Sequence, residues 1–389
     1  MNISKSLITA SVVLLLFSFN SPAQSIPVVS DLLAPTKIIS TPGGSFLVAE
    51  AGTGSNDGRI SIIDENGTRR TLVDGLPSAA APPEGAASGP SGLALRGNTL
   101  FVTIGEGDVT MNSSVPGFLV ANPNPSSPLF SSVLAIRLGG DVEDITDGVS
   151  LTPDDHDTLE TRARLRLTND DDQRITIELI VDIRDFTFEF RQGGPVNNVR
   201  ASNPFGIAVR GNLLYVVNAG QNAILEVDPQ AKTSRVFLRF PGKANPLPFG
   251  PRVIDVVPNS IRTFGRQLLV TFLIGFPFPA GESEVVRINP VNKNTFTLID
   301  GLSSAIDVLP VEDDLGNTQF YVLEFSTDML GGAPGRLLRF DSPDATPVVI
   351  ASNLTSPTSL ARDDETGDIL ITEIFPGRVV RVPTVVGAQ

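Results

Sequence analysis

The feature that most limits this chain is that it repeats. A Pro or small residue followed by an apolar run recurs at residues 35, 90, 204, 251, 303 and 357. Each start opens a unit of one layout. The first copy reads Pro35-Thr36-Lys37-Ile38-Ile39, then Phe46 to Glu50, then Arg59 to Asp64, then Arg70 to Leu76. The third reads Pro204-Phe205-Gly206-Ile207-Ala208, then Leu214 to Asn218, then Ile224 to Asp228. These short runs are rich in Val, Ile, Leu and Phe and are separated by Gly, Asn and Asp turns, the signature of antiparallel strands. Four such strands in a unit of roughly 50 residues make a propeller blade. No unit carries a helical period of useful length, so a helical solenoid is excluded. The 35 Gly and 31 Pro residues are the punctuation this fold needs.

The spacing predicts an all-β protein, a six-bladed propeller of four-stranded antiparallel blades. The sixth unit ends at its third strand, Arg378 to Val382, while Ile26 to Leu32 resembles the outer strands of other units. The N-terminal strand is therefore expected to complete the last blade, which removes an exposed sheet edge. The interval between residues 90 and 204 is too long for one plain unit. A seventh, degenerate blade is one reading of it. The other is a long excursion of blade two, with Val133 to Leu138 as third strand and Ile175 to Leu179 as fourth. Between them lies an acidic insertion at about residues 139–172. From Asp141 to Asp172 it holds 11 carboxylates against three arginines. Arg162 to Leu167 alternates and Asn169-Asp170-Asp171-Asp172 reads as a turn, which predicts a hairpin leading into the fourth strand.

Residues 1–23 read as a secretory signal. Lys5 gives the positive start, Leu7 to Phe19 the apolar stretch, and Ser21-Pro22-Ala23 the small residues before a cleavage point. That stretch is short for a bilayer core of ~30 Å; an uncleaved anchor is the alternative. A secreted or periplasmic protein is expected, with residues 24–389 as one propeller domain, monomeric and without a membrane span after cleavage.

Composition excludes much chemistry. With no cysteine there are no disulfides, thiolate metal sites or redox pairs. No Trp excludes a Trp-based quinoprotein and a WD-repeat propeller. The one histidine, His156, sits in the acidic insertion and not at an inner blade edge, which argues against a quinoprotein sugar dehydrogenase. The formal charge of −14 makes nucleic acid a poor partner. Gly52 to Gly58 misses the spacing of dinucleotide and phosphate loops and reads as a turn.

The units resemble six-bladed propellers of the NHL and gluconolactonase-like types. More narrowly they resemble the exported ScyD/ScyE family, named for proteins associated with scytonemin biosynthesis. The stretches that carry this are Gly89 to Ala94, Phe101 to Gly107, Pro128-Leu129-Phe130, Ser202 to Gly206 and Asn218 to Val227. The acidic insertion and the irregular fourth unit depart from the pattern. The resemblance implies an extracytoplasmic ring and no established activity.

Candidate chemistry begins with the ends of the second strands: Glu50, Ile104, Asn218, Phe272, Glu324 and Glu373 stand at equivalent positions. Glu50, Asn218, Glu324 and Glu373 could bind a ligand, or hold Ca²⁺ or another divalent cation, since hard cations take oxygen ligands. The alternative is that each caps its own turn. A gluconolactonase-like site would use such a set to hold a metal that polarises a lactone carbonyl. Asp255 and Asp307 read as equivalent inner-strand acids, with Lys37 and Arg252 as counterions or, for Arg252, a ligand contact. Asp154-Asp155-His156-Asp157 and Asn169 to Asp172 are loop clusters; Asp170 and Asp172 could take calcium, or simply be solvated. The expectation is a binding module that presents a small-molecule or protein site on one face of the ring. The other reading is a metal-assisted, lactonase-like hydrolase of an exported metabolite.

Overall fold

The structure, a computed structural model, describes residues 23–384 except 84 and 314. All but the last residue of the expected signal lie outside the described residues.

Six sheets form a ring. Blade 1 is Pro35–Ser40, Phe46–Glu50, Gly58–Ile63 and Arg69–Leu76 from the axis outward. Blade 2 is Pro90–Arg96, Thr99–Ile104, Ser132–Leu138 and Arg174–Asp182. Blade 3 is Pro204–Arg210, Leu213–Asn218, Ala223–Asp228 and Thr233–Arg239. Blade 4 is Pro258–Phe264, Gln267–Phe272, Ser283–Ile288 and Thr295–Leu302. Blade 5 is Ala305–Glu312, Thr318–Glu324, Gly335–Phe340 and Val348–Leu354. Blade 6 is Pro357–Arg362, Ile369–Glu373 and Arg378–Val382, completed by Ile26–Val29, with Ile26 opposite Arg381. The ring thus closes through the N-terminal strand, and the long interval holds no seventh blade.

Every inner strand bulges within its first residues, in all six blades between residue one and residue three or four. Proline suits the first position because a strand's first residue can spare its N–H. Its carbonyl is used between blades. Thr36 Oγ1 donates to Pro90 O at 2.8 Å, Ser91 Oγ to Pro204 O at 2.8 Å, and Thr358 Oγ1 to Pro35 O at 2.9 Å. The recurrent Pro-Ser/Thr pair is an inter-blade fastener. At the third position Gly92 and Gly206 permit close approach: a Cβ on either would lie 2.1 Å from Phe205 O or 2.5 Å from Asn259 O.

The core is a set of six apolar layers, one between each pair of neighbouring blades. Aromatic rings fill some of them edge to face, such as Phe264 of blade 4 against Phe320 of blade 5 at 5.6 Å.

Two parts differ from the sequence expectation. Blade 4 begins at Pro258, not Pro251. Residues 243–254 instead form a small hairpin, Lys243–Ala244 with Val253–Ile254. The acidic insertion contains a helix, Pro153–Glu160, where a loop was expected. Thr152 and Asp155 form a capping box and Pro153 sits at the first helical position, which together start a helix despite its low apolar content. The expected hairpin is present: Leu165–Thr168 pairs with Arg174–Asp182 as a fifth strand of blade 2. Val149–Ser150 runs parallel to the outer strand of blade 1. The insertion therefore straps the outer edges of blades 1 and 2.

Candidate functional site

The aligned second-strand residues occupy one structural position. Each stands opposite the first residue of its inner strand, Glu50 opposite Pro35, Asn218 opposite Pro204, Glu324 opposite Ala305 and Glu373 opposite Pro357. The structure keeps them in their own blades. Glu50 accepts from Leu33 N at 2.5 Å, Arg59 Nε at 2.8 Å and Ser61 Oγ at 2.5 Å. Glu324 accepts from Ser303 N at 2.6 Å and from Arg336 Nε. Glu373 accepts from Thr355 N and Arg378 Nε, each at 2.5 Å. Arg59, Arg336 and Arg378 follow a glycine at the start of the third strand and are the direct cross-strand neighbours of these acids. Each glutamate, fully buried, clasps the linker that enters its blade. Asn218 accepts from Asn203 N at 3.0 Å and Gln221 N at 3.2 Å, binding linker and turn alike. Among the described residues no three His, Cys, Asp or Glu side chains come together as metal ligands.

Asp170 and Asp172 are exposed at the tip of the added hairpin. His156 is buried on the helix, not in a loop. Its Nε2 lies 2.8 Å from Gly75 O, an acceptor only, so Nε2 carries the proton and Nδ1 accepts from Ser127 Oγ at 3.1 Å. Burial lowers its pKa, and the neutral ring ties the insertion to blade 1.

Asp307 crosses the axis and is fully buried. Lys37 Nζ of blade 1 reaches Oδ2 at 2.9 Å, Arg262 of blade 4 gives Nε to Oδ1 at 3.0 Å and a terminal nitrogen to Oδ2 at 2.7 Å. Ser260 and Ser359 donate at 2.7 and 2.9 Å. One carboxylate thus joins blades 4, 5, 6 and 1. Although burial opposes the charge, the two cations and their hydrogen bonds hold Asp307 far below the usual carboxylate range. Burial, then repulsion from Arg262, pulls Lys37 down to about 8 despite Asp307. Asp255 is not the equivalent acid. The third position of blade 4 is Ser260, and Asp255 lies in the linker ahead of that strand. Arg262, not Arg252, is the second counterion; Arg252 is exposed in the hairpin turn.

That correction leads to a cleft. On the face where inner strands begin, four small hairpins form a crown: Ala79–Ser88, Thr110–Ala121, Phe186–Ala201 and Lys243–Ile254. Between them lies a cleft of 450 Å³ that meets a recess of 630 Å³. The two share Glu189, Arg191, Arg200 and Asp255. Arg191 pairs with Glu189 at 2.7 Å, and Arg200 with Asp255 at 3.0 Å and Glu189 at 3.6 Å. Asn222 Nδ2 fixes Asp255 at 2.6 Å, while Arg191 stays half exposed. Around the crown, Phe188 is 74 % exposed, Phe190 91 % and Phe276 52 %. These cleft residues, Asp255 apart, escaped the sequence reading. The signal was present in Phe186-Thr-Phe-Glu-Phe-Arg191, where apolar and polar residues alternate outside any blade.

No family model matches the sequence, and no curated protein matches it. Among solved structures the chain is similar to a Bacteroides thetaiotaomicron protein of unknown function, at 10 % identity and TM-score 0.49, covering 93 % of this chain and 72 % of that one. A streptogramin B lyase gives 11 % and 0.44 over 92 % and 96 % of the two chains. A chain of a nidogen/laminin complex gives 11 % and 0.42 over 86 % and 91 %. The strand topology, rather than these likenesses, makes the protein a six-bladed β-propeller.

Proposed function

We propose that the protein is a binding module that holds a small-molecule or protein ligand on its crown, in the cleft between Arg191, Arg200 and Asp255. The observation that carries this is the joining of a paired but accessible guanidinium strip with exposed phenylalanines on hairpins the ring itself does not need. Arginine and aromatic side chains are what binding hot spots are made of. The lactonase-like reading needs acids free to hold a cation, and Glu50, Glu324 and Glu373 already each hold an arginine and a linker N–H. Among the described residues no helix is long and apolar enough to cross a membrane. The signal-like segment supports a secreted or periplasmic location, and the quoted stretches a place with the ScyD/ScyE propellers.

The test is a thermal-shift screen of metabolites and peptides on the wild type and on Arg191→Glu/Phe190→Ser, with metal analysis of both. The variant should fold, since exposed positions change stability by within about 0.5 kcal/mol, and should lose the shift that wild type shows. A ligand that shifts both equally refutes the crown. Stoichiometric metal whose chelation abolishes a hydrolytic activity would establish the other reading.

A further inference from the structure

Opposite the crown, the inner strands end around an axial funnel. Its volume is 380 Å³, and five of the six inner strands line it. Its lining mixes half-buried Ile39, Leu95, Val209 and Leu309 with exposed Ser40 and Thr263, while Leu93 and Ile207 belong mainly to the layers between blades. Lys37 and Arg262 line its deep end, where the Asp307 network closes the axis.

The charge at that deep end does not balance. Two cations share one carboxylate, and Asp307 is further engaged by Ser260, Ser359 and the backbone N–H groups of Val308 and Leu360. An ammonium has three donors, and among the described residues Lys37 uses one of them, on Asp307. Burial first, and then repulsion from Arg262, lowers the Lys37 pKa to about 8. Arginines also stand near the mouth. Arg96, Arg210 and Arg362 are the last residues of three inner strands. Arg96 reaches the Gly211 carbonyl at 3.2 Å and lies over the Phe101 ring at 5.2 Å, and Arg210 reaches the Arg266 carbonyl at 3.3 Å. Arg362 has a loose contact of 3.8 Å with the exposed Asp364. Acids stand on this side too, Glu312, Asp313, Asp363, Asp364 and Glu365 in the turns of blades 5 and 6 and Glu143 against the turn of blade 1; none of them lines the funnel, and Glu312, Arg362 and Asp364 line an adjoining recess. A chain of net charge −14 thus places two cations and no carboxylate in the lining of this funnel.

We propose that this funnel binds an organic anion, a carboxylate carried on an apolar body. The carboxylate would sit at Lys37 and Arg262, where desolvation strengthens a charge-assisted hydrogen bond, and the body would lie along Ile39, Leu95, Val209 and Leu309, which are otherwise partly open to water. The rim arginines would draw the anion in. The site is separate from the crown and does not depend on it.

Calorimetric titration of the purified full chain with decanoate, and with 1-decanol as its uncharged counterpart, tests the proposal. Decanoate should bind at one site at least about tenfold more tightly than decanol. Val209→Trp, which fills the funnel, should abolish binding. Arg210→Gln should weaken it about threefold, and Lys37→Met at least about tenfold. Should Lys37→Met fail to fold, the rim and filling variants still decide. Equal affinity for decanoate and decanol, no measurable decanoate binding, or binding untouched by Val209→Trp would overturn the proposal.

Discussion

Blades 5, 6 and 1 are held together differently from blades 2, 3 and 4. In the first group a buried glutamate at the end of the second strand clasps the entering linker, and two of those linkers are only two residues long, from Leu302 to Ala305 and from Leu354 to Pro357. In the second group that position holds Ile104, Asn218 and Phe272, and the chain arrives through the crown hairpins. The axis draws the line one blade earlier, with blade 4 on the polar side. Lys37, Ser260 and Ser359 interlock around the Asp307 carboxylate, while blades 2 and 3 place Gly92 and Gly206 at that position and pack backbone on backbone. One half of the ring is fastened by polar side chains and keeps short connections. The other relies on hydroxyl-to-carbonyl bonds and close backbone packing without buried charge at the axis of blades 2 and 3, and its connections are long enough to build a surface.

Breaking the polar half should cost most. Asp307→Ala leaves Lys37 and Arg262 buried without their anion, and removing one partner of a buried pair costs about 3–5 kcal/mol. Calorimetric melting should show that loss, and adding Lys37→Met should recover part of it. A single-variant loss below about 1 kcal/mol would mean that the axis is not what fastens this half.

Glu324→Gln is the next test. It keeps the shape and removes the charge that Ser303 N and Arg336 share, with an expected loss of about 1–3 kcal/mol by urea unfolding. Phe272, at the same position in blade 4, has no such partner to lose. If Phe272→Leu destabilises as much as Glu324→Gln, then the clasp adds nothing beyond packing.

Acid should separate the strap, which bridges the two halves, from the axis by pH window. Burial lowers the His156 pKa, so its contribution is present above the unfolded value of about 6.5 and fades as pH falls below it. Asp307 is held low by its cations, and Glu178 is held at about 2 by Arg137 and Lys232 against the effect of its burial. Their contributions persist until pH falls below the unfolded carboxylate range, near 4. Hydrogen exchange on lowering pH from 7 to 5 should loosen the strap across blades 1 and 2 first, with the axis protected. Simultaneous loss of protection in both would contradict that order.

The repeat made the ring legible because blades obey local rules: Pro at the strand start, alternation, and Gly or Asn turns. Lys37 as counterion of Asp307 was legible for the same reason, since both stand at the third position of their inner strands. Blade 4 was misplaced because Pro251 and Val253-Ile254 imitate a strand start seven residues early. The second-strand acids were located correctly within their blades, but their partners were readable only as the Gly-Arg pairs at residues 58–59, 335–336 and 377–378. The crown was hidden because its residues converge from linkers that share no repeat, and nothing in a linker's own sequence fixes where it folds back.

The strand Ile26–Val29 has a consequence for how the protein comes into being. Its partner, Arg378–Val382, follows every other blade strand in sequence, so the two meet only once all of the other strands have been made. A contact so distant in sequence is slow to form, since it closes a long loop. Until then the nascent ring has open sheet edges of the sort that recruit other strands. The final latch, rather than any single blade, would then set both the pace of maturation and the interval during which the protein is vulnerable to aggregation.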